Sequence, residues 1–337
     1  MKKIIYLILP IILILLTIVW YKYNLRPIYT SKVEEIKIPE NTGDEETAEL
    51  LAEKKLIRSS LAFRIYAFLS QKDKQIKPGN YLISSDLSIP EILDILVLGK
   101  VLIFKVTIPE GMKISETDVY LSEHYKDYGF KTGDFEKAVE SYKTKLSEGL
   151  ISVLPQLRND DLEGIFLGDT YFLNKGDSAE KLVAKMVANF QEKALSFFNS
   201  KLPEPLKNNY EAITLASLVE QEAKTKTDRQ LVAGIFLARL KNSDFLQSCA
   251  SINYLLPEKK GRLSDSDIAI DSPYNTYKKK GLVPTPICNP SLESLDAVMH
   301  PKVSNYYYFL SDKSGKLFFS ETLEEHNQLQ QQIWGSV

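Results

Sequence analysis

The chain has 337 residues, room for about two domains. At 44% hydrophobic and 26% charged, it carries enough apolar material for a packed core. Forty-two basic residues against forty-four acidic ones leave a net charge of −2, which removes the electrostatic footprint of a dedicated nucleic-acid binder. Two cysteines and three scattered histidines (His124, His300, His326) exclude a zinc ribbon, a zincin helix and a disulfide-rich scaffold. With no glycine-rich phosphate loop either, no cofactor or metal is expected. What remains is an enzyme acting on wall, sugar or peptide, or a binding protein.

After Lys2 and Lys3 the chain is uncharged from Ile4 to Trp20. As a helix, residues 4–23 would span about 30 Å, the thickness of a hydrocarbon core. Trp20, Tyr21 and Tyr23 stand where an interfacial aromatic belt belongs. A cleaved signal peptide would end in small residues; this run ends in Trp-Tyr-Lys-Tyr, so residues 1–25 are expected to be an uncleaved transmembrane anchor. The basic flanks are nearly balanced, and the short tail ahead of a long body favours a cytoplasmic N-terminus with the body outside the cell membrane. There, Cys249 and Cys288 could close a disulfide; a loop of about 40 residues would contribute roughly 4 kcal/mol in the chain-entropy view. In a cytosolic protein the same two thiols would be inert core residues.

The body reads as α+β. Ile36–Glu40 alternates like a short strand, and Glu45–Lys54 is an amphipathic run. A second helix, Ser60–Ser70, starts at a Ser cap with Leu61, Ile65 and Phe68 on one face. Lys77–Asn80 turns into a strand at Tyr81–Ile83, and Ser88 caps a third helix that stops at Gly99. Strand, helix, helix, strand in about 50 residues looks like a LysM-type glycan-binding module over residues 30–104. The motif Ile36–Glu40 recurs faintly as Val106–Gly111, which opens a larger, mostly helical α+β domain over 105–337. In it, Phe135–Ser147 and Ser178–Leu202 are predicted as long helices. Between them, Leu162–Tyr171 mixes rings and carboxylates, as a sugar cleft or a core-edge loop would.

The helix predicted over Tyr210–Lys224 is the most informative element. At 100° per residue, Ala212, Ala216, Val219 and Ala223 form one apolar stripe, with Glu220 and Glu222 about 80° to either side. Residues two apart do not face each other, so the two carboxylates cannot be the opposed pair of an ordinary glycosidase. Glu222 shares its edge with Leu215 and Leu218, a setting that keeps a carboxyl protonated as a general acid. Helix geometry alone does not choose between the two glutamates, and both could be solvated flank residues.

Glu211–Glu222 closely resembles the S-x-V-E-x-E helix of the endolytic murein transglycosylase (MltG, YceG-like) family. In the same order, Val106–Gly111 resembles that family's opening strand motif. Leu162–Tyr171 is similar to its L-E-G-x-x-x-x-D-T-Y loop, and Val232–Leu240 to its next helix. Ser272–Tyr277, Gly281–Pro284, Pro286–Pro290, His300–Pro301, Tyr306–Phe309 and Glu325–Asn327 follow. The resemblance runs from about residue 30 to 330 behind a membrane anchor.

The resemblance implies a membrane-anchored endolytic lytic transglycosylase that cuts nascent peptidoglycan glycan strands between MurNAc and GlcNAc. It would leave 1,6-anhydro-MurNAc ends, with Glu222 as the single catalytic acid. It implies peptidoglycan synthases as partners and substrate contacts at Glu163, Asp169, Tyr171, Glu220, Gln247, Tyr274, Asn275, Tyr277 and His326. A non-catalytic wall-binding scaffold is the rival. A hydrolytic muramidase would need a second carboxylate about 5–9.5 Å away, from Glu163, Asp169 or Asp271. One departure stands out. Where the family usually reads L-Q-x-D-P-T-V-x-Y, this chain has Cys249-Ala250 for Asp-Pro, and Cys288 is also unusual there. Two odd cysteines together suggest that a disulfide replaces a lost loop constraint.

Overall fold

The computed structural model describes residues 2–30, 32–40, 42–99, 103–158, 162–174 and 177–335, with side chains throughout except at 2–11, 80, 103, 158 and 174. The chain divides into two compact units, Met1–Val106 with Thr170–Asp177, and Thr107–Asp169 with Ser178–Val337. The architecture is mixed α+β, with the strands in three two-stranded sheets.

The first unit begins with helix α1 (Lys2–Asn24). Strand β1 (Val33–Ile38) buries Ile36 and Ile38 while Lys37 between them is exposed, the period-2 pattern of a one-sided strand. Helices α2 (Asp44–Glu53) and α3 (Ser60–Leu69) lead to β2 (Gly79–Ser84), which pairs antiparallel to β1 with Ile36 opposite Tyr81. Helix α4 (Ile89–Leu98) is framed by a Ser88–Glu91 capping box and by Gly99 at φ 77°, where a side chain would be strained. The predicted strand–helix–helix–strand order is thus present.

One detail of that prediction is inverted. Leu61 and Phe68 on α3 are 52% and 70% exposed, while Ala62, Phe63 and Ala67 are buried. Ser59, not Ser60, caps the helix by accepting from the Ala62 amide. The small alanines give the neighbouring α2 and α4 room to approach, and Phe63 fills the space they leave. Strand β3 (Ile103–Thr107) forms a second sheet with β4 (Thr170–Asn174), so a segment from far along the chain completes this unit.

Among the described residues no helix is long and apolar enough to cross a membrane. The side chains of 2–11, on which much of the anchor expectation rests, lie outside the described residues.

The second unit contains α5 (Ile114–His124), α6 (Asp134–Tyr142), α7 (Glu148–Val153) and α8 (Ala179–Ala194). Both long helices expected here are shorter than predicted, because α6 and α8 each pass into a 3-10 turn, at 143–145 and 195–199. Next come α9 (Asn209–Glu222), α10 (Lys226–Lys241), α11 (Cys249–Asn253), α12 (Asp265–Ile268) and α13 (Leu292–Met299). A hairpin of β5 (Tyr308–Ser311) and β6 (Leu317–Ser320) precedes α14 (Leu323–Trp334). Helix α9 is buried on every side from Ala212 to Val219, not along one stripe. It packs against α10, α11 and α13, and that enclosure places its last turn.

Candidate active site

Helix α9 starts at Asn208, whose side chain accepts from the Glu211 amide at 3.0 Å, and ends at Glu222, where Ala223 turns extended. Glu222 is therefore the last helical residue and is only partly covered, while the helix behind it is enclosed. Its Oε1 accepts from the Ser248 hydroxyl at 2.6 Å and from the Ala250 amide at 3.0 Å.

Those donors are held by a buried hydroxyl network. The Ser248 amide donates to Thr276 Oγ1 at 2.9 Å, and Ser251 Oγ lies 2.8 Å from the same oxygen while donating to the Ser248 carbonyl. Gln247 adopts φ 50° as its amide donates to the Thr276 carbonyl, and Arg239 Nη1 donates to the Leu246 carbonyl at 2.6 Å. The strained Gln247 backbone is overdetermined from both sides, as functional turns commonly are.

Burial raises the Glu222 pKa above the usual carboxylate range; the Ser248 hydroxyl, the Ala250 amide and Arg239 pull the other way without cancelling it. The C-terminal end of a helix dipole also disfavours a negative charge. Because Oε1 already accepts two bonds, the proton of the neutral acid belongs on Oε2. The arrangement can deliver one proton and take one back.

Around this carboxyl a thiol, a phenol and an imidazole are each shifted toward their neutral forms, and Arg239 supplies a positive charge. Cys249 Sγ lies 3.1 Å from the Tyr277 hydroxyl, and desolvation together with Glu222 pushes the thiol up to about 11. It is therefore no thiolate nucleophile near neutral pH. Burial and the neighbouring Cys249 raise Tyr277 as well. Arg239 donates to the Tyr307 carbonyl through Nε and Nη2, and its guanidinium lies 5.5 Å from the rings of Tyr307 and Tyr308. His326 packs beside Tyr308 at 5.5 Å, and burial and Arg239 lower its pKa, so its imidazole is neutral. Of the predicted residues, Glu222, Gln247 and Tyr277 come together around this carboxyl, and His326 and Glu222 both feel the charge of Arg239.

Several others are occupied elsewhere. Glu220 accepts from the Ser291 amide and hydroxyl, the Ser294 hydroxyl and Arg229 Nη2, so it secures the start of α13 rather than offering itself to a substrate. Glu163 is buried and accepts from the Ile114 amide and Asn289 Nδ2. Asn289 Oδ1 in turn accepts from the Gly164 and Phe166 amides. Gly164 sits at φ 99°, and a Cβ there would lie 2.7 Å from Ile213 Cγ2. The stretch Leu162–Leu167 is thus core, not sugar cleft. Asp169 is paired with Lys193 at 2.6 Å and bonded to Asn189. Tyr171 is buried on β4 in the first unit. Asn275 is fully buried and spends its side chain on the Ile268 and Ile270 carbonyls and the Tyr277 amide. Tyr274 packs on Tyr254 at 4.8 Å with its hydroxyl on Thr285.

The expected disulfide is not formed. Cys249 and Cys288 are free; Cys288 is buried with its thiol on the Ser217 carbonyl, while Cys249 is exposed against Tyr277. Sequence reasoning missed Ser248, Thr276 and Arg239. Ser248 lies 26 residues from Glu222, so only its place in the matched L-Q-S stretch could have drawn attention to it.

Compared with known proteins, residues 36–332 match the YceG-like family. An endolytic murein transglycosylase of Bacillus subtilis (strain 168) is 28% identical over 307 residues, covering 89% of this chain and 85% of that protein. One from Streptococcus pneumoniae (strain R6) is 29% identical over 327 residues; the match takes in 88% of this chain but 58% of the streptococcal protein's length. A solved yceG-like protein of Listeria monocytogenes superposes with a TM-score of 0.58 at 29% identity, over 89% of this chain and all of that one.

Proposed function

Because the chain belongs to the YceG-like family, we propose that it is an endolytic peptidoglycan lytic transglycosylase with Glu222 as its catalytic acid. The observation that carries the reading is a partly open carboxyl at the end of α9, with one oxygen fixed by Ser248 and Ala250 and its pKa raised by burial. In this mechanism Oε2 protonates the glycosidic oxygen as the bond from MurNAc C1 breaks. The resulting carboxylate then takes the proton of the MurNAc 6-hydroxyl as that oxygen bonds to C1 and closes the 1,6-anhydro ring. The acid is restored and no water is consumed.

A hydrolytic route needs a second available carboxylate. Glu163 and Asp169 are engaged by their own partners, and Asp271 stands exposed beside Lys279 at 3.3 Å. That supports the single-acid route. The first unit serves as a glycan-binding module, and α1 as the membrane anchor with the body extracytoplasmic. Its residues 12–20 expose apolar side chains, Leu13 at 66% and Val19 at 65%. Such placement brings the enzyme to nascent strands beside the peptidoglycan synthases.

Detergent-solubilised full chain should convert uncrosslinked glycan strands into fragments lacking one water per new end by mass spectrometry. Glu222→Gln should lower the rate by about 10²–10⁴-fold or more. Fragments with ordinary reducing ends would mean hydrolysis. Binding without cleavage, unaffected by Glu222→Gln, would mean a scaffold.

A further inference from the structure

On the other side of the α9 terminus lies a cleft lined by Lys113, Gln221, Ala250, Tyr254 and Lys259. It adjoins the candidate site, since Gln221 precedes Glu222 and Ala250, whose amide donates to Glu222 Oε1, also lines the cleft. Its enclosed space is about 10 Å³, room for roughly one water, and the rest is open to solvent. A carboxylate can meet it at the mouth; a sugar ring cannot enter.

The cleft is cationic. Lys113 is only partly exposed, its ammonium 4.6 Å from the Tyr254 ring centre and 3.4 Å from the Tyr254 carbonyl. Among the described residues it has no carboxylate within ion-pair reach. Lys259 meets Gln221 Oε1 at 3.3 Å and Glu116 at 3.4 Å, and the other Glu116 oxygen accepts from the Lys113 amide. Lys259 therefore has a carboxylate partner and the Lys113 ammonium has none, leaving one positive charge unmatched in the cleft. A half-covered cation held against a ring and a carbonyl, without a counter-ion, is poised for an anion. The glycan backbone is neutral; its negative charge sits on the lactyl arm of MurNAc and the peptide built on it.

We propose that this cleft is a subsite for a carboxylate on the MurNAc lactyl substituent, with Lys113 as its principal ligand and Lys259 in support. The inference rests on the transglycosylase reading for the identity of the strand. It makes cleavage dependent on what the sugar carries, as well as on the sugar itself.

Binding to the full-chain Glu222→Gln protein separates recognition from turnover. Three probes are used: uncrosslinked strand fragments with intact peptides, the same fragments with every carboxylate capped as a methylamide, and fragments stripped of peptide so that the lactyl carboxylate is free. Intact fragments should bind about tenfold more tightly than capped ones, the worth of one charge-assisted contact. Adding Lys113→Met, which keeps the stem, should bring intact fragments down to the capped level and leave capped ones unchanged. Lys113→Arg should retain most of the difference. In intact fragments the lactyl carboxyl is tied up as an amide, so stripped fragments binding like intact ones would show that a free lactyl carboxylate also reaches Lys113, and binding like capped ones would confine the contact to a peptide carboxylate. Equal binding of intact and capped fragments, or a loss in Lys113→Met that is the same for both, overturns the subsite. Carboxylate-dependent binding by a wild-type chain that makes no anhydro ends would overturn the transglycosylase reading instead and leave this one standing.

Discussion

At the scale of the residue, the chemistry rests on how the two glutamates of α9 are surrounded. Their positions two apart on a helix gave no ground for choosing, and the family motif chose Glu222. The structure supplies the physical difference: Glu220 has four donors on its carboxylate, while Glu222 has donors on Oε1 alone and is partly open. Glu222's folded pKa is raised from 4.5 by burial, so the acid form persists to higher pH and is lost as pH climbs through the raised value. The alkaline limb of kcat/KM should therefore lie above the ordinary carboxyl range, and a pH–rate profile reads it. Cys249→Asp, which restores the residue type usual in the family, would put a carboxylate beside Glu222. Like charges oppose ionisation, so that limb should move to higher pH. Ser248→Ala removes a donor that favours the charged form and should shift it the same way, with a lower kcat from lost positioning. A limb that moves down in either variant would contradict Glu222 as the titrating acid.

At the scale of the element, period and capping located most helices, and tertiary packing decided what each face meets. The Ser88–Glu91 box and Gly99 were legible because they act within one turn. The exposed face of α3 was not, since whether Leu61 or Phe63 points inward depends on α2 and α4. The roles of Glu163, Asn275 and Asn289 escaped for the same reason, each serving backbone groups of other segments. Glu220 is the clearest case, since its side chain and that of Arg229 are 7% and 8% exposed and α13 begins on its oxygens. Arg229 keeps Glu293 as a second partner, so losing Glu220 costs less than the roughly 3–5 kcal/mol of a wholly uncompensated buried charge, about 2–3 kcal/mol. Glu220→Ala should therefore lower unfolding stability by about that amount in urea titration. Glu220→Gln, which still accepts but no longer neutralises Arg229, should lose less. If Glu220→Ala instead left stability intact and raised KM alone, a substrate contact would have to replace the structural role.

At the scale of the whole molecule, the sequence division at 104/105 was linear, whereas Thr170–Asp177 returns to complete the first unit. A pairing between β3 and β4 leaves no local trace beyond two short apolar runs. The N-terminal run is a compositional signal, read without reference to any partner segment. Apolar side chains from Ile12 to Val19 stand exposed on α1, while Tyr21 and Leu25 pack on the core of the first unit. At the centre of a bilayer each Leu, Ile or Val contributes about −0.3 to −0.6 kcal/mol to insertion, and a run free of charges has nothing to oppose it. Full-length chain should therefore stay with membranes through an alkaline carbonate wash, and deletion of residues 1–25 should release it. A C-terminal reporter active only outside the cytoplasm should be active on the full chain. Release of the full chain by carbonate would remove the anchor; a silent reporter on a retained chain would reverse the orientation and separate Glu222 from nascent strands.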